Sequence, residues 1–484
     1  MINGESVSSE SGATVEIRNP ARTQESVGEI SQGSISDVKR AIDAAYSAYQ
    51  KWGSTTPRAR STILFKASDL FAASEQRLAE VLTREQGKTL SESLNEVRLT
   101  AAVFRYYAGL APAISGRKVE LQDPSEFGMT LKQPIGVTVA IAPWNSPVIL
   151  LAVKLAPALA AGNTIVAKPA STTPLADLAM CEIVNKAGLP PGVLNFVTGR
   201  GNEIGEELVS NKKVSKVAFT GETETGKTVM SIAARGIKRV SLELGGSDPM
   251  IICSDADLDL AMNAALISRF RNCGQVCMSV KRLYVHESKF DRFVGMISER
   301  VKKIRIGNGL SPEAKMGPLH SKKQKEKIIE QVSDGIDKGA KLVQGGDEPD
   351  ESDLREGYFY YPTIVTGASP DSKLLGEELF GPVLPIMKFS TLDEAINLAN
   401  DSPYGLGSSI WTKDLDAAMT AASKIIAGTT WINSFHEPQI DLPFGGLKES
   451  GLGKEMSLEG LENYLETKAV VVNSKGKQRP WLDN

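Results

Sequence analysis

Between residues 137 and 244 the chain alternates short β-branched runs with helical stretches, and this alternation narrows the possible folds more than any other feature. Val137–Ala142 reads as a strand, and Val148–Ala161 as an apolar helix that Pro157 is expected to kink. Strand Thr164–Ala167 precedes a helix over Pro174–Ala187, with proline in its first turn and Gly188 beyond its end. Val193–Val197, Lys216–Thr220 and Arg239–Leu244 continue the strands, with helices near Glu203–Val209 and from Thr225. Strands roughly thirty residues apart with helical crossovers predict an α/β fold built on a doubly wound parallel sheet.

The flanking regions follow other rhythms. Val38, Ala41, Ile42, Ala45, Tyr49 and Trp52 recur at helical spacing, and more helix is expected to about residue 110. Gly116–Lys132 alternates and carries Asp123-Pro124, which reads as an extended, hairpin-like excursion. A second α/β unit begins near Ser247, with helices at Leu258–Arg271, Phe290–Ile304 and Lys322–Lys338. Its strands are placed at Lys281–Val285, Tyr358–Val365 and Val383–Lys388. Ala469–Asn473 is a lone terminal strand that needs a sheet edge to pair with, and another subunit is one source of it.

Composition excludes several function classes. The 484 residues carry 55 Lys plus Arg against 58 Asp plus Glu, a net charge of −3 that argues against nucleic acid as a partner. The densest basic run, Lys322, Lys323, Lys325 and Lys327, reads as a solvated helix face. Cysteines at 181, 253, 273 and 277 make no disulfide framework and suit a reducing compartment. Val148–Ala161 is too short to span a bilayer and holds Lys154, and no signal region opens the sequence, so no membrane association and a cytoplasmic location are expected. His286, His320 and His436 are far apart, so no metal site is expected.

Gly221 to Thr228 fits the phosphate-loop pattern, with Gly226-Lys227-Thr228 at its end, after a strand and before a helix. Glu222 and Glu224 would put two negative charges in a loop meant for a polyanion, so an NTPase is the lesser alternative. What remains is a strand-to-helix turn whose helix start can face a phosphate. Gly199-Arg200-Gly201 with Gly205 misses the dinucleotide pattern by one residue and reads as a glycine-rich turn.

Three other residues form a chemical set. Cys277 follows a Gly274-Gln275 turn at the end of a helix, Glu243 ends an apolar strand before Gly245-Gly246, and Asn145 lies just past the first parallel strand. A thiol nucleophile, a carboxylate base, an amide donor and a dinucleotide-type sheet describe one reaction. A thiolate adds to a carbonyl, a hydride leaves to a nicotinamide, and base-activated water frees the acid. Cys273, four residues from Cys277, is an incidental thiol or half of a regulatory disulfide.

Over nearly its whole length the chain resembles the aldehyde dehydrogenase superfamily. The motifs are Pro143-Trp144-Asn145, Lys168-Pro169-Ala170-Ser171, Phe219-Thr220-Gly221, Leu242-Glu243-Leu244-Gly245-Gly246, Gly274-Gln275-Val276-Cys277, Glu377-Glu378-Leu379-Phe380-Gly381-Pro382 and Pro443-Phe444-Gly445-Gly446. The resemblance implies Cys277 as nucleophile, Glu243 as base for thioester hydrolysis, and Asn145 with the Cys277 N–H as oxyanion hole. It further implies Glu378 on the nicotinamide ribose, Phe380 beside the nicotinamide, Lys168 on the adenosine ribose and Gly221 at the pyrophosphate. Trp144, Thr220, Thr225 and Leu244 complete the implied cofactor contacts.

The implied architecture is a cofactor domain (1–115 and 133–245), a second α/β catalytic domain (246–445) and a small β bridging element (116–132 and 446–484). The terminal strand of such proteins joins a neighbouring subunit, which implies a homodimer or homotetramer.

Lys168, Ser171, Thr172 and Thr173 follow the second strand with no acid before Asp177, which favours NADP over NAD, because a 2′-phosphate needs cations and hydroxyls. Ser247-Asp248 resembles the semialdehyde and lactaldehyde branches. Arg271 matches one of two arginines that hold the carboxylate in succinate semialdehyde dehydrogenases, while Val153 stands at the other. Lys281-Arg282 reads as a charge pair at a strand start. The expected activity is NAD(P)-dependent oxidation of a small polar or acidic aldehyde, with succinate semialdehyde, lactaldehyde or glyceraldehyde as candidates. Glu243 argues against the CoA-acylating alternative, because a hydrolytic base destroys the thioester CoA must intercept.

Overall fold

The computed structural model describes residues 1–434 and 436–476; Phe435 and positions 477–484, the end of the expected bridging element, lie outside the described residues. An antiparallel pair opens the chain, β1 (Thr14–Asn19) with β2 (Arg22–Ser31). Four helices follow: α1 (Ile35–Gly53), α2 (Pro57–Ala73), α3 (Glu75–Gln86) and α4 (Leu90–Leu110). Capping boxes start α1 (Ser34 with Asp37) and α4 (Thr89 with Glu92), each satisfying backbone N–H groups that the first turn leaves free. The α1 face of Val38, Ala41, Ile42, Ala45 and Trp52 is buried, as its spacing predicts.

After β3 (Lys118–Glu120) and β4 (Glu126–Pro134), the strand–helix alternation takes over. It runs β5 (Val137–Ile141), α5 (Pro147–Ala161), β6 (Thr164–Lys168), α6 (Pro174–Lys186), β7 (Leu194–Phe196), α7 (Gly201–Ser210), β8 (Val214–Thr220), α8 (Thr223–Ala234) and β9 (Arg239–Glu243). Pro157 lies inside α5, which continues through it, and nearly every α5 side chain is buried. The strand order β9-β8-β5-β6-β7 is parallel throughout and reverses direction between β5 and β8, which makes the doubly wound sheet expected above.

A second sheet begins with β10 (Asp248–Ile252), followed by α9 (Leu258–Phe270), β11 (Val280–His286), α10 (Phe290–Val301), α11 (Lys322–Asp337), β12 (Lys341–Gln344) and β13 (Thr363–Thr366). It continues through α12 (Lys373–Gly376), β14 (Val383–Phe389), α13 (Leu392–Asn400), β15 (Tyr404–Gly405), β16 (Gly407–Trp411), α14 (Leu415–Lys424) and β17 (Thr429–Ile432). Its order is β12-β13-β14-β11-β10-β16-β17, parallel except for β12. The strand expected over Tyr358–Val365 is shorter, because Tyr358 and Tyr361 spend their N–H groups on Pro20 and Asp347 carbonyls and Pro362 has none to give.

The C-terminal segment divides its pairing. After β18 (Leu447–Lys448), β19 (Gly451–Leu452) adds antiparallel to β9, opposite Glu243 and Leu242. After α15 (Ser457–Glu462), β20 (Leu465–Asn473) pairs with β4 along its length, from Leu465 opposite Pro134 to Asn473 opposite Glu126. One edge of the terminal strand is therefore paired within its own chain, with β4. It is the outer strand of the sheet β20-β4-β3.

Two acids are buried where α3 meets α6. The Glu85 carboxylate accepts the Leu175 and Ala176 N–H groups at 2.9 and 2.8 Å, at the start of α6. Burial pushes Glu85 up to about 8 and Asp177, whose oxygens have no partner among the described residues, well above the usual range, with Glu85 adding to it. Both hold protons in the fold that the unfolded chain releases near its ordinary value. The associated stability is complete below that value and is lost as pH rises, through about 8 for Glu85. Melting temperature is expected to fall with rising pH across this window, and to fall less steeply in Asp177→Asn. Parallel curves for parent and variant would contradict this.

Candidate active site

The carboxyl ends of the first sheet meet the amino ends of the second. β5 runs out into Pro143-Trp144-Asn145 and β8 into Gly221, on either side of the point where the strand order reverses. Glu243 ends β9, and β10 starts four residues beyond Leu244 at Asp248.

Cys277 lies in the loop between α9 and β11. Asn272, Cys273 and Gly274 have φ of +50°, +55° and +71°, a left-handed run that costs roughly 1–2 kcal/mol for each non-glycine residue. Neighbouring groups hold it. Glu92 Oε1 accepts the Asn272 N–H at 2.7 Å, Asn272 Nδ2 donates to the Asn145 carbonyl at 2.8 Å, and buried Arg269 donates to the carbonyls of Gly274, Leu379 and Gly381. A Cβ at position 274 would fall on the Gly381 carbonyl, so only glycine fits there. The Cys277 side chain is half-buried, whereas Cys181, Cys253 and Cys273 are buried. Desolvation pushes the Cys277 thiol up to about 12, with Lys281 opposing it. Cys273 has no exposure and packs in the second core, which leaves the incidental reading of that thiol.

Asn145 reaches this loop directly, its Nδ2 donating to the Gln275 carbonyl at 3.0 Å. Its own carbonyl accepts Lys88 Nζ at 2.8 Å, and Lys88 pairs with Glu96 at 2.5 Å. Glu96 Oε1 in turn accepts the Val148 and Ile149 N–H groups that begin α5. Lys88, Glu92 and Glu96 went unnoticed in the sequence. The available signal was Glu96 on a helix face shared with Ser93, Val97 and Thr100, all buried.

Glu243 is 5% exposed and its Oε2 has no partner among the described residues. Burial, then the nearby Glu455 carboxylate, raise its affinity for a proton well above the carboxylate norm, against Lys154 and Lys454. Lys154 is fully buried and donates to Thr220 Oγ1 at 2.6 Å and to Glu455 at 2.5 Å. The apolar helix that carries Lys154 thus delivers one cation beside the acid, a pairing that no local pattern announced.

The residues that the resemblance assigns to a cofactor lie at or just past the ends of β5, β6, β8 and β9, at the start of α8 and in the stretch before β14. Lys168 ends β6, is 6% exposed, donates to the Pro169 carbonyl and is pushed down to about 8 by burial. Ser171 Oγ donates to the Gly199 carbonyl at 3.1 Å, which brings the turn carrying Arg200 beside it. Helix α8 starts beyond Gly221 with Glu222 as a cap that makes no side-chain bond. Thr225 is exposed in its first turn, and Leu244 packs against Gly226. Lys227 lies outside, paired with Glu224 and Glu449, so the phosphate-loop lysine of the NTPase alternative is engaged elsewhere. Trp144 stacks on His320 at 4.7 Å and meets the Phe380 ring edge-on at 5.5 Å. Glu378 Oε1 accepts the Gly246 N–H at 3.0 Å and Lys281 Nζ at 2.7 Å.

Lys281 and Arg282 stand at the start of β11, as expected, and both are buried there; Arg282 donates to the carbonyls of Ser247, Leu398 and Ala399. Arg271 faces Glu437, Nη1 to Oε1 at 3.5 Å, so its guanidinium is already met by a carboxylate.

An uncapped helix start, a buried cation with a single carbonyl partner and a carboxylate across the cleft fit a dinucleotide, whose pyrophosphate and ribose hydroxyls need such groups. Among the described residues, no group of three or more His, Cys, Asp or Glu is arranged to hold a metal. No helix of the described residues is long and apolar enough to cross a membrane.

The family model described as "Aldehyde dehydrogenase family" matches residues 6–470. A betaine aldehyde dehydrogenase of Bacillus subtilis is 41% identical over 485 residues, covering 100% of this chain and 99% of that protein. An NADP(+) succinate-semialdehyde dehydrogenase of Escherichia coli is 39% identical, covering 98% and 97%. A crystal structure of Staphylococcus aureus betaine aldehyde dehydrogenase in complex with NAD+ superposes with a TM-score of 0.97 at 38% identity, over 100% of this chain and 96% of that one.

Removing one partner of a buried ion pair leaves the other charge unsatisfied, at a cost of about 3–5 kcal/mol. Lys88→Met is therefore expected to lower unfolding free energy by about that amount in denaturant titrations, and to reduce turnover further by releasing Asn145. A loss under about 1 kcal/mol would contradict the role given to the Lys88–Glu96 pair.

Proposed function

The chain belongs to the aldehyde dehydrogenase family, which makes it an NAD(P)-dependent oxidoreductase, and from that premise we propose that it oxidises a small polar or acidic aldehyde to its carboxylic acid. The observation that carries the reading is the convergence of Cys277, Asn145 and Glu243 at the junction of the two sheets. Succinate semialdehyde, lactaldehyde and glyceraldehyde are the candidate substrates.

In this reading the Cys277 sulfur, once deprotonated, adds to the aldehyde carbon. The Asn145 amide and the Cys277 N–H hold the oxyanion of the resulting thiohemiacetal. Bound NAD(P)+ supplies the acceptor for the hydride. Glu243 then takes a proton from the water that attacks the thioester carbonyl, which frees the acid and returns the thiol. A carboxylate whose proton affinity is raised by burial suits that base, and it supports hydrolysis over transfer to CoA.

The cofactor would be held by Trp144, Lys168, Ser171, Thr220, Gly221, Thr225, Leu244, Glu378 and Phe380. NADP is favoured. Support comes from buried Lys168, the Ser171 hydroxyl and Arg200 next to Gly199, with no acid at position 171. The NADP(+) succinate-semialdehyde dehydrogenase relative agrees, while the Staphylococcus aureus neighbour shows the fold also serves NAD+. A carboxylate-bearing aldehyde would take Arg271 in exchange for Glu437.

The three expected parts (1–115 with 133–245, 246–445, and 116–132 with 446–484) are retained as the proposed division. The outer position of β20 supports a homodimer or homotetramer built across that edge, and a cytoplasmic location is proposed.

Cys277→Ala is expected to cut aldehyde-dependent cofactor reduction by about a thousandfold or more. Glu243→Gln should release one burst of reduced cofactor and then stall; steady turnover at the parent rate would remove it as the base. Ser171→Glu is expected to shift the NADP-to-NAD affinity ratio by about tenfold toward NAD, through repulsion of the 2′-phosphate. An unmoved ratio would refute the NADP preference.

A further inference from the structure

Building on the roles proposed for Cys277 and Glu378, we propose that Lys281 is a positioning residue. Its ammonium holds the nucleophile loop against the Gly246 and Glu378 segments and supplies the fixed positive charge that favours the Cys277 thiolate. The Lys281 side chain is 1% exposed. An ammonium has three N–H donors, and here each has one acceptor at 2.7 Å: the Cys277 carbonyl, the Gly246 carbonyl and Glu378 Oε1. These acceptors come from three separate parts of the chain, the loop before β11, the turn after β9 and the stretch before β14. The Phe380 ring lies below the same ammonium, 5.5 Å from its centroid.

The charge matters because of what else faces the thiol. Glu378 from the stretch before β14, Asp248 from the start of β10 and Glu243 from the end of β9 all oppose a thiolate, as does burial itself. His436, in the loop after β17, bonds through Nδ1 to the Met278 carbonyl and lies 3.7 Å from Asp248 Oδ2. Lys281 faces Cys277 with a field that favours the ionised sulfur. A nucleophile surrounded by three acids needs such a counter-charge, and Lys281 is fixed where it acts without reorganising. A tie that is merely structural would be served equally by a neutral donor, and this separates the two explanations.

The test is alkylation of the cofactor-free, full-length protein by iodoacetamide across a pH series, with mass spectrometry reading the Cys277 peptide. Lys281→Met is expected to slow Cys277 alkylation about tenfold at each pH below the midpoint, which displaces the rate–pH profile to higher pH by about one unit. Lys281→Arg, which keeps the charge, should stay close to the parent. Should Lys281→Met not fold, the comparison is made between Glu378→Gln and Glu378→Gln with Lys281→Met, where no buried carboxylate is left alone. The profile should lie at higher pH in the double variant. Superimposable profiles in either comparison would overturn the proposal. Failure of the underlying reading looks different: full turnover in Cys277→Ala, or alkylation of Cys277 in the parent without loss of turnover, removes the nucleophile itself whatever Lys281 does.

Discussion

Four residues, Leu244 to Ser247, carry the chain from the last strand of one parallel sheet to the first strand of the next. At no more than about 3.6 Å per residue, so short a link keeps the carboxyl ends of the first sheet close to the amino ends of the second. The cleft is a consequence of that connection. Two glycines make it narrow enough: a Cβ on Gly246 would sit 2.7 Å from the Cys277 carbonyl, and one on Gly245 equally close to Glu378 Oε2. Glu243, Cys277 and Glu378 come from segments far apart in the chain, and this junction is what lets them share a site.

The site is then held by buried charge. Lys88 with Glu96, Lys154 with Glu455 and Lys281 with Glu378 are lysine–glutamate pairs whose lysines are 3% exposed or less, and each braces one part of the cleft. Lys88 grips the Asn145 carbonyl, Lys154 binds Thr220 beside Glu243, and Lys281 grips the Cys277 carbonyl. Such pairs add little net stability compared with apolar packing, because desolvating two ions offsets most of their attraction. Their geometry is specific, however. Each lysine has a fixed set of acceptors, and a shift of any one loop would leave a charge unpaired in the interior.

Electrostatics also sorts the acids of the fold. At the cleft, Glu96, Glu455 and Glu378 each have a lysine within hydrogen-bond reach, while Glu243 has none among the described residues and binds a proton more readily. Between α3 and α6, Glu85 has backbone N–H partners and Asp177 has no side-chain partner among the described residues, and burial raises the proton affinity of both as well. The same residue type thus meets two different fates, decided by whether a cation reaches it.

Local sequence determined the strand–helix rhythm from Val137 to Glu243, the amphipathic α1, the excursion before β5 and the identity of Cys277, Glu243 and Asn145. Period, turn chemistry and short motifs act over a few residues and can be read there. Tertiary structure decided what depends on distant partners. It made the strand-start charges Lys281 and Arg282 buried donors, set Glu437 against Arg271, pointed Lys227 of the phosphate-loop match at exposed acids, and paired β20 with β4. A charge written in a sequence has no address until the fold supplies its counter-ion, because burial and pairing arise between segments that the chain itself keeps hundreds of residues apart.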